Sequence, residues 1–99
     1  DILPPIPDPA TIGWAIWPTI DPTNDWHYMQ AVTVDDATTG GNNPVEYYFE
    51  CVVGTGIDSG WQLSTIYTYY HTSACYYRWK ARDAVGNETN WSQAGYTGY

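Results

Sequence analysis

VEYYFEC (Val45 to Cys51) and CYYRWKARD (Cys75 to Asp83) decide the fold, and they end and begin on the only two cysteines of the chain. Read with a period of two, the first places Val45, Tyr47, Phe49 and Cys51 on one face. The second does the same with Cys75, Tyr77, Trp79 and Ala81. Both read as strands with one buried side. The opposite faces carry Glu46, Tyr48 and Glu50 on one strand and Tyr76, Arg78, Lys80 and Arg82 on the other. An acidic outer row and a row holding every positive charge of the protein belong side by side.

An antiparallel pairing with Cys51 opposite Cys75 predicts Phe49 facing Tyr77, Tyr47 facing Trp79 and Val45 facing Ala81 inside. Outside it sets Tyr48 against Arg78 and Glu46 against Lys80. Each such outer pair contributes at most about 1 kcal/mol. A slip of one residue would turn both faces inside out. With both thiols on one face of neighbouring strands, a Cys51–Cys75 disulfide is expected, closing a loop of about 25 residues with roughly 3 kcal/mol of chain-entropy stabilisation. Such a bridge implies an oxidising compartment, hence an extracellular or cell-surface protein.

The chain of 99 residues is one domain, large enough for a single core but not for a deep cleft between domains. Ten Tyr, six Trp and one Phe exceed what that core can hide. Strand formers dominate and no sustained 3.6-residue apolar period appears, so the chain reads as all-β. The formal charge of −8 argues against nucleic acid, which needs a cationic surface, and it keeps an aromatic surface soluble. No apolar run approaches the ~18 residues of a membrane span. The first residues lack the basic start and apolar centre of a signal peptide, so an exported form would have lost its signal or carry it elsewhere in a precursor.

Residues 1–9, DILPPIPDP, contain Pro4, Pro5, Pro7 and Pro9 and read as a semi-rigid linker or strap; residues 10–99 form the folded unit. A first strand is expected within Ala10 to Ile20, interrupted at Pro18, and a second from Trp26 to Val34 after the turn DPTND. ATTGGNNP reads as a loop tolerant of positive φ. GTGIDSG is a further turn, WQLSTIYTYY supplies a short edge strand and another strand, and AVGN turns the chain into a last strand from Thr89 to Tyr96. Six or seven short strands at this spacing indicate a β-sandwich.

Four segments, VEYYFEC, DSGWQ (Asp58 to Gln62), YRWKARD (Tyr77 to Asp83) and GNETNWS (Gly86 to Ser92), resemble the immunoglobulin-like fibronectin type III modules of secreted bacterial proteins. There the third segment runs YRVKARD, and Trp79 stands here in place of Val. The resemblance implies about seven antiparallel strands in two sheets joined as a Greek key, strung in tandem arrays beside catalytic or adhesive domains, with no catalytic residue and no cofactor. Two departures stand out. The corner before Tyr77 is only HTSA, and Cys75 occupies the place of the family's corner tyrosine, whose hydrogen bond the disulfide would replace.

No catalytic motif supports His27 or His71, which lie on different predicted elements with neither GxSxG nor HExxH nearby. Asp35, Asp36, Asp58 and Asp83 lack the spacing of a calcium loop and read as solvated turn residues. Asn87 and Asn90 head overlapping sequons, NET and NWS; Asn87 also suits the turn itself. Trp14, Trp17, Trp26, Trp61 and Trp91 cannot all be buried, and three uses are open to them: packing against a neighbouring module or copy, stacking on a polysaccharide, or no role. The expected function is a non-catalytic extracellular structural module of an array, stalk or fibre, with an accessory carbohydrate-binding module as the alternative.

Overall fold

The computed structural model describes residues 3–36 and 44–98, so most of the loop expected at ATTGGNNP lies outside the described residues. Among the described residues one short helix, α1 (Pro9–Ile12), precedes seven strands: β1 (Trp14–Ile20), β2 (Trp26–Ala31), β3 (Glu46–Val53), β4 (Trp61–Gln62), β5 (Ile66–Tyr70), β6 (Tyr76–Arg82) and β7 (Gly95–Tyr96). They form two antiparallel sheets, ordered β1-β2-β5 and β4-β3-β6-β7. The all-β sandwich expected from the alternation is the architecture observed. The alternation also places the core: Trp79, Tyr77, Phe49 and Tyr47 from the larger sheet meet Met29, Ala31 and Trp14 from the smaller.

Both faces of β3 and β6 are as read, but the register is not. Cys51 lies opposite Tyr77, Phe49 opposite Trp79, Tyr47 opposite Ala81, Tyr48 opposite Lys80 and Glu46 opposite Arg82. The pairing is displaced by two residues, which leaves every side chain on its own face; alternation determines parity and nothing finer. Charge explains the choice. In this register Glu50 stands opposite Arg78 and Glu46 opposite Arg82, with ion pairs of 2.6 and 2.9 Å. The expected approach of Glu46 to Lys80 is replaced by a Lys80–Glu88 pair. Tyr47 still touches Trp79, now diagonally, at 6.0 Å between ring centres.

The last strand is much shorter than expected, because side chains take over from it. Thr89 N donates to Ala81 O while Thr89 Oγ1 accepts from Ala81 N; Ser92 does the same for Trp79, and Thr97 for Cys75. On the other side of the sheet Ser59 repeats the arrangement on Phe49. Each hydroxyl satisfies a strand N–H that would otherwise be buried without a partner. β1 continues through Pro18 with two irregularities of register, and Pro18 faces inward beneath Gly95, where a Cβ would collide with its ring.

The proline segment lies against the sandwich. Ile6 and Asp35 exchange backbone hydrogen bonds of 2.9 Å, and Pro5 and Pro9 are buried. Pro9 opens α1 behind the cap Asp8, whose Oδ1 accepts from Ala10 N; proline suits this position because no intrahelical partner exists there for an N–H. Gly13, at φ 69°, ends the helix, and its carbonyl accepts from Trp79 Nε1 at 2.9 Å.

Candidate functional site

Two clusters of chemically distinctive side chains emerge. The first covers the outer face of the larger sheet. Arg78, Lys80 and Arg82 project from β6 two residues apart, about 7 Å for an extended strand. Trp91, from the segment after β6, is seated between the first two, with Arg78 Cζ at 4.1 Å and Lys80 Nζ at 4.5 Å from its ring centre. Trp61, from β4, is seated between the second two, with Lys80 at 5.7 Å and Arg82 at 4.2 Å. The result is a ladder, Arg78, Trp91, Lys80, Trp61, Arg82, using every cation of the chain. Partly exposed contacts of this kind contribute ~0.5–1 kcal/mol each.

Tyr48 lies beneath the middle rung, edge-on to Trp61 at 5.3 Å and to Trp91 at 6.1 Å. Together with Glu50, Lys80 and Glu88 the three rings line an open pocket of about 230 Å³. The ladder limits what this pocket can do. A sugar stacks on a bare ring face, and the protein's own cations already lie over the rings of Trp61 and Trp91. Sequence reading anticipated a cation over a ring here, with Tyr48 as the ring. The signal for the actual partners was the period-two cation row flanked by GW and NWS.

The remaining tryptophans divide. Trp14, expected among the partner-facing rings, is instead a core residue: it packs on Phe49 and Trp79, and its Nε1 donates to Gln93 O at 2.9 Å. The buried rings it packs on are contributed by the opposite sheet, which periodicity in β1 alone could not reveal. Trp17 and Trp26 are exposed.

The second cluster fills the end of the sandwich where β6 begins. Tyr67 and Tyr77 both donate to Ile57 O, and the Tyr69 and Tyr77 hydroxyls bond to one another. Burial pushes Tyr67 up to about 12 and raises Tyr69 and Tyr77 further. Gly56 lies over this network. A Cβ there would strike the Tyr77 hydroxyl and fall 2.6 Å from that of Tyr69 and 2.8 Å from Cys75 Sγ.

Cys51 and Cys75 border the same network as unbonded thiols, Cys75 buried and Cys51 half-buried. They are not directly opposite. After Cys51 a bulge intervenes, with pairing resuming at Val53 and Tyr76; Cys51 Sγ donates to Val53 O at 3.5 Å and Cys75 Sγ to Ser73 O at 3.6 Å. Burial raises the Cys51 thiol, and the neighbouring Cys75 adds to it.

His27 and His71, read as unrelated, have ring centres 5.5 Å apart, with Tyr69 stacked on His27 at 5.0 Å. They meet because β2 and β5 are paired, a long-range fact outside the reach of local motifs. His27 is buried; its Nε2 donates to His71 O at 3.0 Å, and its Nδ1 has no partner. His71 Nε2 lies 3.0 Å from Thr55 Oγ1. Desolvation lowers the pKa of His27, outweighing the opposing His71 carbonyl and Asp25 carboxylate. The folded chain therefore resists a proton that the unfolded chain accepts near pH 6.5. Stability should fall as pH drops from 7.5 to 5.5, measured by thermal unfolding. His27→Gln should flatten that slope, and an unchanged slope would place its origin elsewhere.

Asn87 Nδ2 donates to Asp83 Oδ2 at 2.9 Å in the β6 turn, while Asn90 is exposed with Nδ2 on Asp8 Oδ2 at 3.1 Å. The hydroxyls of both sequons, on Thr89 and Ser92, serve the β6 backbone as described. Burial alone would raise Asp83, but hydrogen bonds from the Asn87 side chain and from the backbone N–H groups of Asn87, Val85 and Gly86 hold it below the usual carboxylate range. Among the described residues no three His, Cys, Asp or Glu converge as a metal site, and no helix is long and apolar enough to cross a membrane. Comparison of the chain with protein-family models, curated proteins and solved structures finds no match.

Proposed function

We propose that the chain is a non-catalytic extracellular module of the fibronectin type III kind, one unit of a tandem array, stalk or fibre that packs against neighbouring copies. The observation that carries this is where the backbone arrives and leaves. The N-terminal segment is bonded at Ile6 to Asp35 and at Asp8 to Asn90, at the end of the sandwich where β2 and β6 finish. The C-terminal segment leaves past Tyr96, paired with Tyr76 where β6 begins. In a body measuring 43 × 21 × 19 Å, attachment points at opposite ends suit head-to-tail stringing without a doubled-back linker. The strand order, crossing between sheets after β2, β4 and β5, supports a Greek key of the immunoglobulin-like type.

Size measurement and imaging of native material should find linear multimers or a longer parent chain. A free, strictly monomeric 99-residue product would overturn the reading.

A further inference from the structure

Each sheet has two margins, and they are not finished alike. In the larger sheet β4 and β7 are two residues long. In the smaller sheet β1 is irregular in register, contains Pro18 and packs through it on Gly95 of β7. β5 (Ile66–Tyr70) has five residues paired to β2 without any irregularity. His71 N donates to Asp25 O and Ala31 N to Thr65 O, so the odd-numbered residues of β5 point their backbone groups at β2, and Ile66, Thr68 and Tyr70 point theirs outward. Ile66 is closed locally: its N–H donates to Ser64 Oγ and its carbonyl accepts from Gln62 Nε2. Thr68 and Tyr70 present two N–H and two C=O groups that no described residue meets.

We infer that β5 pairs edge to edge with β5 of a second copy, antiparallel and centred on Tyr69, joining the two smaller sheets into one of six strands. In this register Thr68 of each copy stands opposite Tyr70 of the other, and the four open groups of each chain bond to those of its partner. The strand is its own complement: a β-branched residue meets an aromatic one on the outer face and Tyr69 meets Tyr69 inside. Tyr67 and Tyr69 are only partly buried at this open side, and the second copy completes their cover.

Charge selects the occupant. Residues 59–77 contain no Asp, Glu, Lys or Arg, so the edge lacks the charges with which natural edge strands turn one another away. A basic partner, the expected complement of a chain at −8, finds no carboxylate along it. Asp25 lies beside His71 at one end of β5. Antiparallel pairing sends the two copies' Asp25 residues to opposite ends, about 20 Å apart by strand spacing and rise and beyond the Debye length of about 8 Å.

The contact is short. A strip about 17 Å long and about 10 Å deep covers far less than the ~800 Å² each partner buries in a stable complex, so single modules pair weakly. In a tandem array the contact multiplies, an amplification that rests on the module reading above while the pairing itself does not.

The test follows the isolated 99-residue chain from about 10 µM to about 1 mM by sedimentation velocity and by residue-resolved amide exchange. Wild type should dimerise reversibly at the upper end, where exchange at Thr68 and Tyr70 should slow at least twofold. The amides of Tyr67 and Tyr69, bonded to β2, should be protected at both concentrations. Thr68→Pro removes an outward N–H that the monomer does not use and should weaken association at least tenfold while Tyr67 and Tyr69 stay protected. Should that variant lose its fold, together with the Thr68 Oγ1 bond to His27 O, the wild-type amides decide alone. A wild type monomeric at 1 mM, a dimer in which Thr68 and Tyr70 exchange as fast as at 10 µM, or a folded Thr68→Pro that dimerises unchanged would each overturn the pairing. None of these touches the head-to-tail reading, which is decided by the size of native material.

Discussion

Trp79→Ala should destabilise the fold by about 3–5 kcal/mol, the largest effect of any single truncation in this chain. Trp79 is completely buried. It lies between Tyr47 and Trp14, at 6.0 and 6.5 Å between ring centres, and its Nε1 ties β6 to the Gly13 carbonyl that ends α1. Removing the indole opens a cavity where the two sheets meet and leaves that carbonyl without its donor. Small domains hold only about 5–15 kcal/mol in total, so the variant should be largely unfolded at modest urea. Trp79→Phe, which keeps the ring but loses the Nε1 bond, should lie between it and wild type. A loss below about 1 kcal/mol for the alanine variant in urea denaturation would mean that the core is not organised around this residue.

Oxidation of Cys51 and Cys75 should have the next largest effect, in the opposite direction. The two cysteines lie on paired strands, Cys75 in the core cluster and Cys51 packed against it, so closing the bond asks for a local adjustment at the bulge after Cys51. The two thiols together give up two protons and two electrons to an acceptor disulfide, such as that of an oxidising thiol buffer, which is reduced to two thiols. Loss of loop-closure entropy in the unfolded chain should stabilise the fold by roughly 3 kcal/mol. Intact mass under denaturing conditions should show two hydrogens fewer after oxidation. Reductant should lower the urea midpoint, and Cys51→Ser should match reduced wild type whether or not oxidant is present. Thiols that remain alkylatable in denaturant after oxidation would refute the bridge and remove the main argument for an exported protein.

The limits of sequence reading are visible in these residues. Alternation in Val45 to Cys51 and Cys75 to Asp83 was enough to assign faces, core and sheet partnership, because burial acts on every second side chain. It could not separate registers two residues apart, which share the same faces and differ only in which charges meet. Trp14 and the histidine pair escaped for a different reason: their surroundings are assembled from elements distant in sequence. β7 was overdrawn because Thr89, Ser92 and Thr97 look like strand residues while acting through their hydroxyls. The ladder was half legible, with its cations evident in β6 and its rings supplied from outside that strand.

Those hydroxyls also bear on how the molecule avoids growing in the wrong direction. A β-sheet that ends in a long straight strand offers a free row of N–H and C=O groups to any passing chain. Beyond β6 this one ends in three unevenly spaced side-chain clamps, on Ala81, Trp79 and Cys75, and only a two-residue strand, an outline too irregular for another strand to copy. Ser59 does the same work beyond β3, next to the equally short β4. Copies at high local concentration would be insulated from amyloid-like fusion at this sheet's margins, and replacing the hydroxyls would cost the protein solubility there as well as stability.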